Sequence, residues 1–330
     1  MKNTIKVLGI IAIVAVVGFS MAACNDDSDD GSGSVVDATS TVTWTTVDVS
    51  SIFSTNDINV IVYGGNTFVA GGKNGGMATS TNGTSWTSVT STFANDQTIY
   101  AIAYGNNTFV AVGISGKIAT SANGTNWTAV SQYAITSSIE AIAFGGNTFV
   151  IGAGNKIAYS ENNGAAWSTA TGINEIFSST NDDIYGIAYG NNMFIAVTRT
   201  GKIAKSDNGQ TWTAVTQKPI PNGILAITFG GGKFVAVGGG QIAVSTDGTS
   251  WTSVTSSTFA ETNITAVGYG NNKFVAGNAY GSMAFSADGT KWTTVADSKF
   301  GNSSIKGIAW GNNKFVAVGN NGKIAYWDGN

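Results

Sequence analysis

Short apolar runs recur along this chain about every 40 residues, always in the same order. In one copy, residues 99–104 and 109–112 are apolar at nearly every position, which is typical of strands covered on both faces. Gly105, Asn106 and Asn107 between these runs tolerate the positive φ angles of a tight hairpin turn. A third run at 117–120 and a fourth at 127–130 complete the copy. The pattern predicts four short antiparallel strands per copy and no amphipathic helix between them.

Aromatic-glycine pairs mark seven copies of this unit. The aromatic members are Tyr63, Tyr104, Phe144, Tyr189, Phe229, Tyr269 and Trp310. A repeat of this length cannot bury its own hydrophobic face, so it must stack on its neighbours. Segment 44–47 has no repeat before it, and the last copy, ending near Trp327, lacks the equivalent segment. We therefore expect an all-β, seven-bladed propeller at residues 42–330, closed by the N-terminal strand pairing with the last blade.

A polar motif closes each of the first six copies. Its fullest form runs from Ser160 through Asn162 and Gly164 to Trp167. It resembles the Asp-box, or BNR repeat, of sialidase-type and photosystem-assembly-factor-like propellers. The resemblance implies the fold, and the propellers that share it include glycosidases, assembly factors and pure binding proteins. For the motif itself we expect a structural role, in which a polar side chain holds the turn and Trp packs beneath it.

The N-terminus has the features of a secretory signal peptide. A basic start is followed by an apolar run from Val7 to Phe19 and small residues up to Ala23. Cys24 is the only cysteine, and its setting resembles a bacterial lipobox. Residues 25–34 are acidic and rich in Gly and Ser, as in a flexible tether. We predict a signal peptide at 1–23, lipidation at Cys24, a tether at 24–41, and an envelope protein anchored at the outer membrane or cell surface.

The inventory of side chains excludes several kinds of chemistry. The sequence has no histidine, so Ser-His-Asp catalysis and imidazole metal sites are excluded, and we expect no cofactor and no metal. Arg199 is the only arginine, whereas sialidases hold their substrate carboxylate with three, which argues against sialidase activity. The formal charge of −3 becomes −5 when Lys2 and Lys6 leave with the signal peptide, so nothing predicts nucleic-acid binding. The pair Asp182-Asp183 lacks the spacing of a calcium loop and is interpreted as a solvated turn.

One position on the innermost strand differs in every copy except two. The residue after the first Ile of that strand is Asn59, Tyr100, Glu140, Tyr185, Leu225, Thr265 or Lys306. Since the fold does not dictate this residue, and since it should lie near the channel mouth, we predict a ligand site there. The candidate residues are Tyr100, Glu140, Tyr185, Lys306 and, from a loop on the same face, Arg199. The competing interpretation is neutral variation at a pore-lining position.

Aromatic residues also precede most innermost strands. They are Phe53, Phe93, Tyr133, Phe177, Phe259 and Phe300. Exposed, they would form a rim for stacking on sugars or on a partner protein. Buried, they would wedge between neighbouring blades, and we favour this second interpretation because the residues recur so regularly.

Taken together, these features predict a lipid-anchored, monomeric propeller that binds a protein, peptide or glycan at its channel-side face without catalysis. The alternative from the residues is a glycoside hydrolase, which needs only two carboxylates. Glu140 with Tyr100 or Tyr185, or the carboxylates of residues 175–183, would serve that reaction. A third possibility, an assembly factor for a membrane complex, follows from the family resemblance alone.

The lipid anchor gives a direct prediction. Cys24→Ala removes the thiol that would carry the lipid, so the protein should move from the membrane fraction to the soluble fraction. Fractionation of cells followed by immunoblotting measures this, with a Ser28→Ala protein as the matched control. Continued membrane association of the Cys24→Ala protein would show that lipidation is not the tether.

Overall fold

A computed structural model describes residues 42–131, 134–254, 258–259 and 262–329. These residues form seven four-stranded antiparallel sheets, which confirms the predicted seven-bladed propeller. Among them, no helix has both the length and the apolar character needed to cross a membrane. The predicted segments 1–23 and 24–41, with Cys24, lie outside the described residues.

The elements follow one another in chain order, and each blade runs from the channel outwards. The chain begins with β1 (Thr45–Val47) and α1 (Ser50–Phe53). Blade 1 contains β2 (Ile58–Gly64), β3 (Thr67–Gly72), β4 (Met77–Ser80) and β5 (Thr87–Ser88). Blade 2 contains β6 (Ile99–Gly105), β7 (Thr108–Gly113), β8 (Ile118–Ser121) and β9 (Thr128–Val130). Blade 3 contains β10 (Ala141–Gly145), β11 (Thr148–Ala153), β12 (Lys156–Ser160) and β13 (Ser168–Thr169), and α2 (Ile173–Ile176) follows it.

The remaining blades repeat this order. Blade 4 contains β14 (Ile184–Gly190), β15 (Met193–Thr198), β16 (Ile203–Ser206) and β17 (Thr213–Val215). Blade 5 contains β18 (Ala226–Gly230), β19 (Lys233–Gly238), β20 (Gln241–Ser245) and β21 (Thr252–Val254). Blade 6 contains β22 (Ile264–Gly270), β23 (Lys273–Asn278), β24 (Met283–Ser286) and β25 (Thr293–Thr294). Blade 7 contains β26 (Ile305–Gly311), β27 (Lys314–Gly319) and β28 (Ile324–Trp327), and single 3-10 turns occur at Lys73–Gly75, Ile114–Gly116 and Asn320–Gly322.

The N-terminal strand closes the ring, as predicted. β1 pairs antiparallel with β28, and Thr46 lies opposite Ala325. Trp44, just before β1, is 1% exposed, and its ring centroid lies 6.2 Å from that of Trp327. The first and last segments of the chain therefore share one sheet, in which β1 covers the outer edge of β28.

Neighbouring blades meet through an aromatic ring lying directly on a glycine. A Cβ atom added to Gly105 would lie 2.0 Å from the Phe144 ring of the next blade. The same contact occurs at all seven junctions, including Gly311 with Tyr63, where blade 7 meets blade 1. Each aromatic ring also packs on a Phe of its own blade, as Tyr104 does on Phe109 with ring centroids 4.5 Å apart. The aromatic-glycine pair of the repeat is therefore the contact that joins the blades.

The hairpin turn after the innermost strand varies together with the next aromatic residue. Where the turn begins with Gly65, Gly146 or Gly231, the next ring is a tyrosine whose hydroxyl lies against that glycine. Where the next ring is Phe144, Phe229 or Trp310, the turn begins with an asparagine instead. These asparagines bond to the outer turn of the following blade: Asn106 to Asn163 at 2.7 Å, Asn191 to the Thr246 carbonyl at 2.7 Å, and Asn271 to the Gly329 carbonyl at 2.9 Å. Asn312 of blade 7 is the exception, because the next aromatic ring, on blade 1, is a tyrosine, Tyr63, and yet the turn begins with asparagine.

The polar motif between the third and fourth strands is a structural turn. In blade 2, Ser121 Oγ accepts the Gly124 amide at 2.9 Å, and Asn123 Oδ1 accepts two further amides. Trp127 Nε1 donates to the Gly124 carbonyl at 2.9 Å. Equivalent bonds recur in blades 1 and 3 to 6, so the motif's polar groups are occupied by backbone partners, as expected.

The inter-blade contact predicts a large penalty for a single methyl group. Gly105→Ala would force a Cβ into the Phe144 ring, so we expect a loss of about 3 kcal/mol or more in the free energy of unfolding, the upper end for overpacking. Gly232→Ala is the control, because nothing lies within 4 Å of its added Cβ. That change should cost about 1 kcal/mol, from its positive φ alone. Urea unfolding of both variants measures the difference, and equal losses would contradict the assigned role of the contact.

Candidate functional site

The variable position on the innermost strand coincides with a β-bulge. In blade 2 the pairing register of β6 shifts between Ile99 and Ala101, which leaves Tyr100 without a partner in the ladder. The same shift skips Asn59, Tyr185, Thr265 and Lys306. A bulged residue is released from the ladder and its side chain is re-aimed, a feature found next to binding sites. In these five blades the bulge releases the residue from the ladder, so the strand pairing does not dictate which residue stands there.

Blades 3 and 5 place the equivalent residue just before the strand. Glu140 precedes β10 and Leu225 precedes β18. Their backbone amides donate to the carbonyls of Gly152 and Val237, at 3.0 and 2.8 Å. Both side chains are half-buried, as are those of Tyr100 and Tyr185.

Two of the seven positions have a clear structural role. Asn59 Nδ2 donates to the carbonyl of Ile99 at 3.0 Å, and Thr265 Oγ1 donates to the carbonyl of Ile305 at 2.6 Å. In both cases the bond reaches the innermost strand of the next blade. These two side chains join blades and are therefore not part of the candidate site.

Arg199 is held beside the start of β14. It follows β15, and its backbone amide donates to the carbonyl of Asp183 at 3.0 Å. Tyr185, the bulged residue of blade 4, lies two residues after Asp183. The structure thus brings Arg199, Asp183 and Tyr185 together on one edge of blade 4, next to Glu140 of blade 3.

A buried ion pair anchors this edge. Asp182 is 1% exposed, and its carboxylate lies 2.8 Å from Lys202 Nζ. It also accepts the Thr200 hydroxyl at 2.5 Å and the Ser179 amide at 3.0 Å. The interpretation of Asp182 as part of a solvated turn is wrong, because this network ties the segment before β14 to the loop that carries Arg199.

Glu140, Asp183, Tyr185 and Arg199 influence one another electrostatically, and we call them the blade 3/4 cluster. Burial raises the pKa of Glu140, the Asp183 carboxylate raises it further, and the Arg199 guanidinium lowers it. Burial also raises the pKa of Tyr185, as does the Glu140 carboxylate, while Arg199 lowers it. Glu140 Oε2 is buried and has no hydrogen-bond partner in the described part of the chain. From the sequence, Asp183 belongs only to the carboxylates of residues 175–183 considered for hydrolysis, and the fold alone places it near Glu140.

The other two predicted residues, Tyr100 and Lys306, occupy the equivalent strand position in other blades. Tyr100 belongs to blade 2, the neighbour of Glu140's blade. Lys306 is exposed on blade 7, across the ring, beside Asp57 of blade 1. Burial alone would raise the pKa of Asp57, but hydrogen bonds from Lys73 and the Asn321 amide, with the charges of Lys73 and Lys306, hold it below its usual range. Lys306 is thus not brought together with the blade 3/4 cluster.

The aromatic residues of the inter-blade loops do not form an exposed rim. Phe53, Phe93, Phe177, Phe259 and Phe300 are at most 5% exposed, which confirms that they pack between blades. Tyr133 lies outside the described residues. Two grooves, of about 550 and about 360 Å³, lie near the outer strands and at the β1 junction, and neither is lined by Tyr100, Glu140 or Tyr185. Over the described ranges, no three His, Cys, Asp or Glu side chains are grouped to hold a metal ion.

Comparisons with known proteins address the fold. A family model described as the DUF6242 beta propeller domain matches residues 25–134. No curated protein matches the sequence. The chain resembles the solved structure of YCF48 bound to D1 peptide, with 16% identity, coverage of 86% of this chain and 96% of that one, and a TM-score of 0.69. It also resembles YCF48 from Cyanidioschyzon merolae, with 17% identity, coverage of 86% and 98%, and a TM-score of 0.67.

An enzyme is also among the similar structures. Virginiamycin B lyase from Staphylococcus aureus shares 12% identity, with coverage of 86% of this chain and 98% of that one, and a TM-score of 0.74. At such low identities these similarities concern the propeller fold and do not distinguish binding from catalysis.

The electrostatics of Glu140 give a pH-dependent prediction. Its pKa is raised in the folded state, so its ionisation costs stability as pH rises from the unfolded-state pKa through the folded-state pKa. Glu140→Gln cannot ionise, so the variant should be more stable than the natural protein at pH 7, with no such difference below about pH 3.5.

Urea unfolding across this pH range measures the effect. Asp247→Asn is the control of opposite sign, because backbone amides of Ser250 and Thr249 hold the pKa of Asp247 low. Asp247 stabilises the fold above its unfolded-state pKa, and that contribution is lost as pH falls through the folded-state pKa. A Glu140→Gln profile parallel to that of the natural protein would show that Glu140 is not desolvated.

Proposed function

We propose that this protein is a non-catalytic interaction module that binds a protein segment or a glycan at the channel mouth. The observation that carries the proposal is the blade 3/4 cluster, whose buried Glu140 Oε2 has no partner among the described residues. The polar groups of the outer turns are bonded to backbone amides, as those of Ser121 and Asn123 are. Convergent polar groups beside half-buried aromatic side chains are typical of binding sites.

A protein segment is the ligand class that we favour. One similar structure is that of YCF48 bound to D1 peptide, so a propeller of this shape accommodates a peptide ligand in that protein. Transfer of this property to the present chain is by analogy of fold. A mixed set of acidic, basic and aromatic groups also suits peptide side chains and termini.

Glycoside hydrolysis is the second candidate, and one observation favours it. Glu140 has a raised pKa beside a second carboxylate, Asp183, and such a pair can divide the roles of acid and base. We do not extend the chemistry of virginiamycin B lyase to this protein. A catalytically inactive variant of that lyase replaces a histidine by alanine, and the present sequence contains no histidine.

We further propose that the module works at the bacterial cell envelope, at the outer membrane or the cell surface. The support is the predicted signal peptide at 1–23 with Cys24 at its end. The acidic, Gly/Ser-rich residues 25–34 would hold the propeller away from the membrane. Assistance in assembling a membrane complex is one role consistent with this placement and with the resemblance to assembly-factor propellers.

The tyrosines of the mouth provide the test. A protein beginning at residue 25 is screened against a displayed peptide library and a glycan array, and its ligands are measured again with the Tyr100→Ala/Tyr185→Ala variant. We expect affinity to fall at least about tenfold, the loss of roughly 1.4 kcal/mol of contact energy, with little change in melting temperature. Tyr280→Ala is the matched control, because Tyr280 is 62% exposed on a loop of blade 6.

Three outcomes decide between the candidates. Ligand binding that survives the double substitution would place the site elsewhere, and a collapse of the melting temperature would make the tyrosines packing residues. Turnover of a fluorogenic glycoside that Glu140→Gln abolishes would replace the binding function with hydrolysis.

A further inference from the structure

Blades 1 and 4 carry the same local arrangement of an acid and a base. Lys73 and Arg199 each follow the second strand of their blade, and each donates its backbone amide to the carbonyl of the aspartate before the first strand. These donor-acceptor distances are 2.9 Å to Asp57 and 3.0 Å to Asp183. The two sites are therefore built on equivalent backbone positions.

The side chains behave differently at the two sites. In blade 1 the pair is closed, since Lys73 Nζ lies 2.6 Å from the Asp57 carboxylate. In blade 4 the described ion pairs include none between Arg199 and Asp183 or Glu140 within 4.0 Å. The Arg199 guanidinium lies instead within hydrogen-bonding reach of the Tyr185 hydroxyl, and it lowers the pKa of both Tyr185 and Glu140.

The open pair leaves charges of both signs available at the channel mouth. Glu140 Oε2 is buried without a partner, the Glu140 side chain as a whole is only half-buried, and Arg199 is exposed. A partly desolvated carboxylate without a partner is unfavourable, and a ligand that supplies an opposite charge relieves this cost. The cluster presents a cation and two carboxylates close together, so the complementary ligand carries both an ammonium and a carboxylate.

We propose that the blade 3/4 cluster binds zwitterionic ligands of the α-amino acid or short-peptide class, with both ends free. Arg199 receives the carboxylate, for which a guanidinium offers two parallel donors. Glu140 and Asp183 receive the ammonium group. Tyr185 of the cluster, with Tyr100 and Leu225 at the same strand position in the flanking blades 2 and 5, provides aromatic and apolar surface for the ligand's side chain. This assignment rests on the proposed function for its location and adds the chemical class of the ligand.

The test uses the dipeptide Ala-Phe in four forms: free, N-acetylated, C-amidated and doubly capped. Binding to the protein beginning at residue 25 is measured by NMR titration up to about 10 mM, the range of weak small-ligand affinity. We expect either single cap to weaken binding at least about tenfold, and the doubly capped form to show no saturation.

Substitutions assign each end of the ligand to a residue. Glu140→Gln should reduce the penalty for N-acetylation, since Asp183 remains, and leave the penalty for amidation. Arg199→Gln should remove the penalty for amidation and leave that for N-acetylation. Lys73→Gln is the matched control, because the equivalent blade 1 base is already paired with Asp57, and its four-ligand profile should match that of the natural protein. The capping series on the natural protein gives an answer even if a variant fails to fold.

The outcomes separate this inference from the proposed function. Equal binding of all four forms, lost with Tyr100→Ala/Tyr185→Ala, would overturn the zwitterion assignment and retain the mouth as a binding site. Absence of binding by the free dipeptide would also overturn it, while the peptide library and glycan array decide the proposed function independently.

Discussion

The structure depends on the contact of an aromatic ring with the glycine of the preceding blade. Because the ring occupies the space of a Cβ, as Phe144 does at Gly105, the two innermost strands approach closely. Seven such contacts set the spacing around the channel, and the last, between Tyr63 and Gly311, completes the circle. Tyrosine hydroxyls then select glycine in the adjacent turn at Gly65, Gly146 and Gly231. A methyl group added at any of these inter-blade contacts would displace the neighbouring blade, since packed interiors have little free volume.

Once the blades are joined, most polar groups of the repeat are occupied by the fold. Ser, Asn and Asp of the outer turn accept backbone amides, and Lys202 and Lys323 donate to the carbonyls of Ile176 and Phe300. A ligand can therefore be bound only by side chains that take no part in the strand hydrogen bonds or the turns. The bulge on the innermost strand creates a position for such a side chain in blades 1, 2, 4, 6 and 7, and blades 3 and 5 place the equivalent residue just before the strand. Acidic groups gather at blades 3 and 4, whereas Lys73 and Lys306 surround Asp57 across the ring.

The sequence predicts the architecture closely and the site only partly. Strand order, blade number and the pairing of β1 with β28 follow from the period of the repeat and from the unmatched segment at 44–47. The buried role of loop residues such as Phe177 also follows from their regular recurrence. The irregular position marks Tyr100, Glu140 and Tyr185, but it does not show the bulge. The sequence does not predict the burial of Asp182, because its ion pair with Lys202 joins residues that local patterns do not connect.

By itself, the sequence determined the fold of each blade, the number of blades and the closure of the ring. These depend on local hydrogen bonding and on a period that repeats along the chain, so every copy reports the same physical requirement. Only the tertiary structure decided which irregular residues meet. Glu140 and Arg199 are separated along the chain by a whole blade, and the fold brings their charges together without an ion pair between them in the described part of the chain. The tertiary structure also places Asn59 and Thr265 in hydrogen bonds between blades. Burial and the distance between blades decide whether a variable polar residue joins two blades or is left to contact a ligand.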